Sequence, residues 1–95
     1  MAAYRLNAAA ADDIERLYRF GIDTFGLEQA DRYLDGLFER FDRIAEQPLL
    51  YQAVDHIRPG YRRSSFGGHA IYYRMMGDNP EIMRVLGREK AAFPP

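Results

Sequence analysis

The chain has 95 residues, 47% of them apolar and 28% charged, with a net charge of −1 and no cysteine. That balance excludes a disordered chain, a disulfide scaffold and a thiolate metal site. No apolar run approaches the ~20 residues needed to span a bilayer.

Residues 1–95 are expected to form one domain with a single modest core. The opening MAAYRLNAAAADD lacks an apolar signal region and turns acidic at once, so a cytoplasmic protein is expected. Charge is unevenly spread. Residues 1–50 carry 6 Arg against 10 Asp and Glu, whereas residues 51–95 carry 7 basic residues against 4 acidic ones. A basic half of this kind suits an acidic partner.

Tyr4-Arg5-Leu6 alternates apolar and polar residues and predicts a strand. Asn7 follows as a helix N-cap. Ile14, Leu17, Tyr18, Gly21, Ile22 and Phe25 then recur at helical spacing. Asp12–Arg16 and Glu15–Arg19 stand at i,i+4, and Asp12, Asp13 and Glu15 suit the positive end of the helix dipole. Gly26 predicts the stop. A second stripe, Leu27, Ala30, Leu34, Leu37, Phe38, Phe41, Ile44 and Ala45, predicts a second helix ending before Pro48. Two amphipathic helices so closely joined make an antiparallel αα-hairpin.

Residues 47–60 read as a loop. Strands are predicted at Tyr61–Phe66 and His69–Met76 around a Gly67-Gly68 turn, and at Glu81–Leu86 after Gly77-Asp78-Asn79-Pro80. Residues 87–95 read as a frayed tail. The fold class is α+β, with order β-α-α-β-β-β and the αα-hairpin packed on one face of a small, mainly antiparallel sheet.

The chemistry on offer is thin. His56 and His69 do not make a metal site, no cofactor motif is present, and Ser64 and Ser65 lack the setting of a nucleophile. RNA cleavage would need arginines and a general acid or base in one place. Alternation instead puts His69, Ile71, Tyr73 and Met75 on one face of the middle strand and Ala70, Tyr72, Arg74 and Met76 on the other. A sheet with apolar residues on both faces must have both covered. Phe20, about 120° from the centre of its helix's apolar stripe, adds an exposed aromatic. These features predict a protein-binding surface. Its candidate residues are Phe20, Arg58, Tyr61, Arg62, Arg63, His69, Tyr72, Arg74 and Arg84, with no catalytic or metal site.

The runs YRLNAAAADDIERLYRF, FGLEQADRYLDGLFERFDRIAEQP, DHIRPGYRRSSFGGHAIYYR and IMRVL, spanning Tyr4 to Leu86, resemble the ParE toxins of ParDE toxin–antitoxin modules, within the ParE/RelE superfamily. The resemblance implies the same β-α-α-β-β-β fold and a toxin that inhibits DNA gyrase by direct binding. It also implies a hetero-oligomer with a ParD-like antitoxin whose C-terminal segment folds over the helical hairpin and sheet. No membrane and no sequence-specific nucleic acid enters that picture. RelE-type relatives instead cleave mRNA in the ribosome. After Arg84-Val85-Leu86, ParE members usually continue with His and close on Met-Asp, whereas this chain has Gly87 and then REKAAFPP. With no His or Tyr beyond Tyr73, the RelE-type acid or base near the C-terminus is missing. The alternatives to a gyrase inhibitor are a RelE-type interferase and a diverged, weakly toxic relative.

Overall fold

The computed structural model describes residues 2–87; Met1 and the expected tail beyond Gly87 lie outside the described residues. Asn7 caps the first helix, α1 (Ala8–Phe25), its side-chain oxygen accepting the Ala9 N–H at 2.8 Å. Gly26, at φ 93°, ends α1 by donating its N–H to the Ile22 carbonyl, and it also opens α2 (Leu27–Glu46). One residue thus turns the chain between two helices.

The strands are β1 (Arg5–Leu6), β2 (Gln52–Ala53), β3 (Tyr61–Phe66), β4 (His69–Met76) and β5 (Asn79–Gly87). They form one sheet in the order β1-β5-β4-β3-β2, antiparallel except for the β1–β5 pair. The α+β architecture matches the sequence expectation, with three differences. β2 lies inside the segment read as a loop; at two residues it is too short to show a period. β5 begins at Asn79, so the last hairpin turns on Gly77 and Asp78 alone, and Pro80 sits within the strand opposite Met75. Gly87, read as the start of the tail, pairs with His69.

The helices cover one face. Ala10, Ile14, Leu37, Phe41 and Ile44 meet Ile71, Tyr73, Ile82 and Val85 there. Ile82 and Val85 share that face although they are three residues apart. A bulge makes this possible: Tyr72 and Tyr73 pair with Arg84 and Ile82, leaving Met83 over. The opposite face carries a smaller core of Val54, Tyr61, Tyr72 and Leu86, with Ile57, Ala70 and Met83 against it. The chain itself therefore covers part of the face that the sequence left uncovered.

The cover is the Ile57–Tyr61 turn. Val54 donates to the Tyr61 carbonyl, Ile57 and Arg58 donate to the Val54 carbonyl, and Gly60, at φ 82°, donates to the Asp55 carboxylate at 2.7 Å. Each fully buried side chain of Phe41, Leu37 or Ile71 size contributes about 1.5–3 kcal/mol, and both cores draw on β4.

Two large apolar residues of the predicted stripes are left at the surface. Phe25 and Leu27 are exposed at the helical apex beside Gly26.

Tyr73 is buried under α2, and its hydroxyl donates to the Pro48 carbonyl. Burial pushes its pKa up to about 12 from 10.0, against the pull of nearby Arg62. A raised folded-state pKa gives stability that is whole below pH 10 and is lost as pH rises toward 12. Tyr4 and Tyr33 shift the same way through burial. Urea unfolding midpoints taken at stepped alkaline pH are expected to fall across this window. Tyr73→Phe should make the fall shallower without removing it.

Candidate functional site

The described residues surround two neighbouring clefts at the end of the sheet where β4 begins and β5 ends. The larger, about 540 Å³, lies between α1 and β5 and is lined by Asp13, Arg16, Leu17, Phe20, Gly68, His69, Arg84 and Val85, with Leu86 and Gly87. The smaller, about 290 Å³, is lined by Arg63, Ser65, His69, Ala70 and Tyr72, again with Leu86 and Gly87. His69, Leu86 and Gly87 are common to both.

Helical spacing builds the α1 wall. Asp13, Arg16, Leu17 and Phe20 fall at three- and four-residue steps and so share one helix face. Leu17 is half-buried, whereas Phe20 is 65% exposed, as the sequence predicted.

Asp13 anchors the base of the larger cleft. It is 3% exposed, and its carboxylate accepts from Arg84 Nε at 2.7 Å, Arg84 Nη2 at 3.0 Å and the Val85 N–H at 2.9 Å. Arg16 donates to the same carboxylate. The sequence assigned Asp13 to the helix dipole and paired Arg16 with Asp12. In the fold Asp13 faces the sheet, and Arg16 reaches it at i,i+3. The hydrogen bond to Asp13 raises the Arg84 pKa further, so Arg84 is cationic throughout. The acid is hidden while the Arg16 side chain is 61% exposed, so the cleft presents positive charge on apolar walls.

His69 forms the shared wall. Its Nδ1 lies 2.6 Å from the Tyr33 hydroxyl, which donates to the Phe66 carbonyl at 3.1 Å. Tyr33 also lies against the hairpin turn. A Cβ at Gly67, whose φ is 55°, would sit 2.6 Å from the Tyr33 oxygen, so only glycine fits.

The fold divides the predicted site residues. Phe20, His69 and Arg84 meet in the larger cleft, and Arg63, His69 and Tyr72 in the smaller. Four others line neither. Arg58 and Tyr61 build the turn under the second core, where Tyr61 is buried. Arg62 donates to the Tyr51 carbonyl at 2.7 Å and so ties down the chain after α2. Arg74 faces Glu81 across the β4–β5 ladder, 3.3 Å away. Tyr72, although it lines the smaller cleft, is buried in the second core.

Sequence reasoning passed over Asp13, Arg16, Leu17 and Tyr33 as site residues. Asp13 carried a signal, since an acid four residues before Leu17 abuts the apolar stripe. Tyr33 carried none, because its partners lie 33 and 36 residues away. Among the described residues no cluster of His, Cys, Asp and Glu could hold a metal ion, and no helix is long and apolar enough to cross a membrane.

Residues 4–92 match the family model described as the ParE toxin of the type II toxin–antitoxin system parDE. The chain belongs to the ParE toxin family. It is 39% identical over 84 residues to Toxin ParE1 of Mycobacterium tuberculosis, covering 87% of this chain and 86% of that relative. It is 37% identical over 86 residues to Toxin ParE1 of Caulobacter vibrioides, covering 90% and 88%. A solved structure of the chromosomal ParDE system from P. aeruginosa superposes with a TM-score of 0.80, covering 92% of this chain and 96% of that one. At 18% identity that likeness concerns the fold. As a ParE-family member, this chain is the toxin of a ParDE type II toxin–antitoxin system.

Removing the Asp13 carboxylate would leave Arg84 and the Val85 N–H without their acceptor. Asp13→Ala is expected to destabilise this ParE-family fold by about 3–5 kcal/mol, the usual cost of breaking a buried pair. Urea unfolding measures it, and a loss below about 1 kcal/mol would deny Asp13 this role.

Proposed function

We propose that this ParE-family toxin acts in the cytoplasm by gripping protein. It inhibits DNA gyrase by direct contact and is neutralised by a ParD-like antitoxin, a segment of which occupies the paired clefts. The observation that carries this reading is the larger cleft itself. Apolar walls ending in exposed Phe20 stand beside the Arg16 side chain, while the acid at its base, Asp13, is buried against Arg84. Such a surface suits an amphipathic acidic segment: an apolar side chain against Leu17 and Phe20, and a carboxylate at Arg16.

A binding role also suits the state of the polar groups. A cleaving enzyme needs arginines and an acid or base directed at a substrate. Here Arg84 is engaged by Asp13, Arg62 by backbone carbonyls and Arg74 by Glu81. These contacts support a non-enzymatic toxin over a RelE-type ribonuclease. Arg63 in the smaller cleft is the arginine best placed for a second charged contact.

Two measurements test the proposal. Purified gyrase is titrated with the toxin and topoisomers are resolved on a gel; loss of supercoiling is expected, and unimpaired supercoiling from folded protein would remove gyrase as the target. Calorimetry with the partner antitoxin then compares Phe20→Ala with the native toxin. Phe20 is exposed, so the substitution should change stability by no more than about 0.5 kcal/mol. It should nevertheless weaken antitoxin binding by about thirtyfold, the loss of a ~2 kcal/mol hot spot. Unchanged affinity would place the antitoxin elsewhere.

A further inference from the structure

Glycine is the poorest helix former after proline, yet Gly36 stands in the middle of α2. The space it leaves is taken. A Cβ at Gly36 would lie 2.8 Å from Phe66 Cζ and 3.5 Å from Phe66 Cε1, so the tip of the Phe66 ring fills the place of a side chain. Tyr33, Gly36 and Arg40 fall at three- and four-residue steps and share one face of α2. On that face the Tyr33 and Phe66 ring centres are 5.1 Å apart, and the Arg40 guanidinium lies 5.5 Å from the centre of the Phe66 ring. The Phe66 carbonyl accepts from the Tyr33 hydroxyl at 3.1 Å. The ring thus sits in a socket with Gly36 as its floor and Tyr33 and Arg40 as its sides.

Phe66 is the last residue of β3, and it pairs with His69, the first of β4, across the Gly67-Gly68 turn. Gly68 and His69 line the larger cleft, and Ser65 and His69 the smaller. The depth at which the ring seats therefore sets the height of the wall common to both clefts. We infer that Gly36 is a positioning residue: its bare backbone seats the Phe66 ring, and so holds the β3–β4 turn and the shared cleft wall at the height that antitoxin recognition needs. The effect on binding rests on the antitoxin reading above. Alanine at this position would favour the helix and overfill the socket. The two effects oppose each other in stability, but only the second reaches the clefts.

Amide spectra and urea unfolding of the toxin alone come first. Gly36→Ala is expected to fold with a midpoint little changed from native. Its shift changes should appear at Phe66 to Ala70 as well as around residue 36. Changes confined to α2 would overturn the positioning. Calorimetry follows, and Gly36→Ala should weaken antitoxin binding by about tenfold, the size of one overfilled apolar contact. Unchanged affinity would overturn the link to recognition. A third measurement separates the socket from a general loss of fit. Leucine stops short of the Cζ position, so Phe66→Leu makes room for the added methyl. The double variant Gly36→Ala/Phe66→Leu should bind within about twofold of Phe66→Leu alone, a coupling that independent sites do not show. Losses that simply add would overturn the socket. If Gly36→Ala does not fold, the double variant must still do so, and its failure to fold would overturn the socket as well. If native toxin binds no antitoxin, that failure belongs to the antitoxin reading, and the spectra still decide whether Gly36 positions the turn.

Discussion

One buried carboxylate holds the two layers of this toxin together at the base of the larger cleft. Asp13 projects from α1 toward β5 and takes up both the Arg84 guanidinium and the Val85 backbone N–H. β1 pairs with β5 only through Arg5 and Leu6, opposite Glu81 and Ile82. Beyond that point a side chain replaces the missing strand as the partner of the β5 edge. A strand edge left open is a liability, and here one acceptor both covers it and fixes the helix above it. Ion pairs this buried contribute less to net stability than their Coulomb energy suggests. The value of this one lies in geometry, since it sets the distance between the α1 wall and the end of β5 and so the width of the larger cleft.

A second constraint comes from the other side. Tyr33 of α2 reaches the β3–β4 turn, and Arg40 of the same helix donates to Ser64 Oγ at 2.8 Å and the Ser65 carbonyl at 2.6 Å. Arg40 also lies over the Phe66 ring, 5.5 Å from its centre. α1 is therefore tied to β5 and α2 to β3, each through polar side chains at the rim of a shared apolar core. The clefts lie at one end of this arrangement, on elements held from both layers.

Much of the architecture was legible in the sequence because its signals were periodic and local. The helical stripes, the Asn7 cap, the Gly26 stop and the Gly67-Gly68 turn each act within a few residues. Signals failed where the partner was distant. Asp13 looked like a dipole residue because its true partner is 71 residues away. Arg58 and Tyr61 looked like binding residues, with no local sign that they also build the turn that covers the second core. The bulge at Met83 could not be read either, since strict alternation would have put Ile82 and Val85 on opposite faces. Of the predicted site, Phe20 was legible through its angle off the stripe. The arginines could be counted but not placed, because an Arg side chain can reach past the residues on either side of it.

The single-residue joint at Gly26 has a consequence for how such a chain can vary in length. That residue ends one helix and opens the next, with no spare backbone on either side. An insertion there would rotate α2 about its own axis or lift it off the sheet, and would carry Tyr33 and Arg40 away from β3 together. Removing a residue from within α1 would swing Phe20 by ~100° relative to Asp13. The helical hairpin is thus a caliper of fixed span. Room for length change lies in the turn between α2 and β2, where Leu49 and Leu50 are exposed.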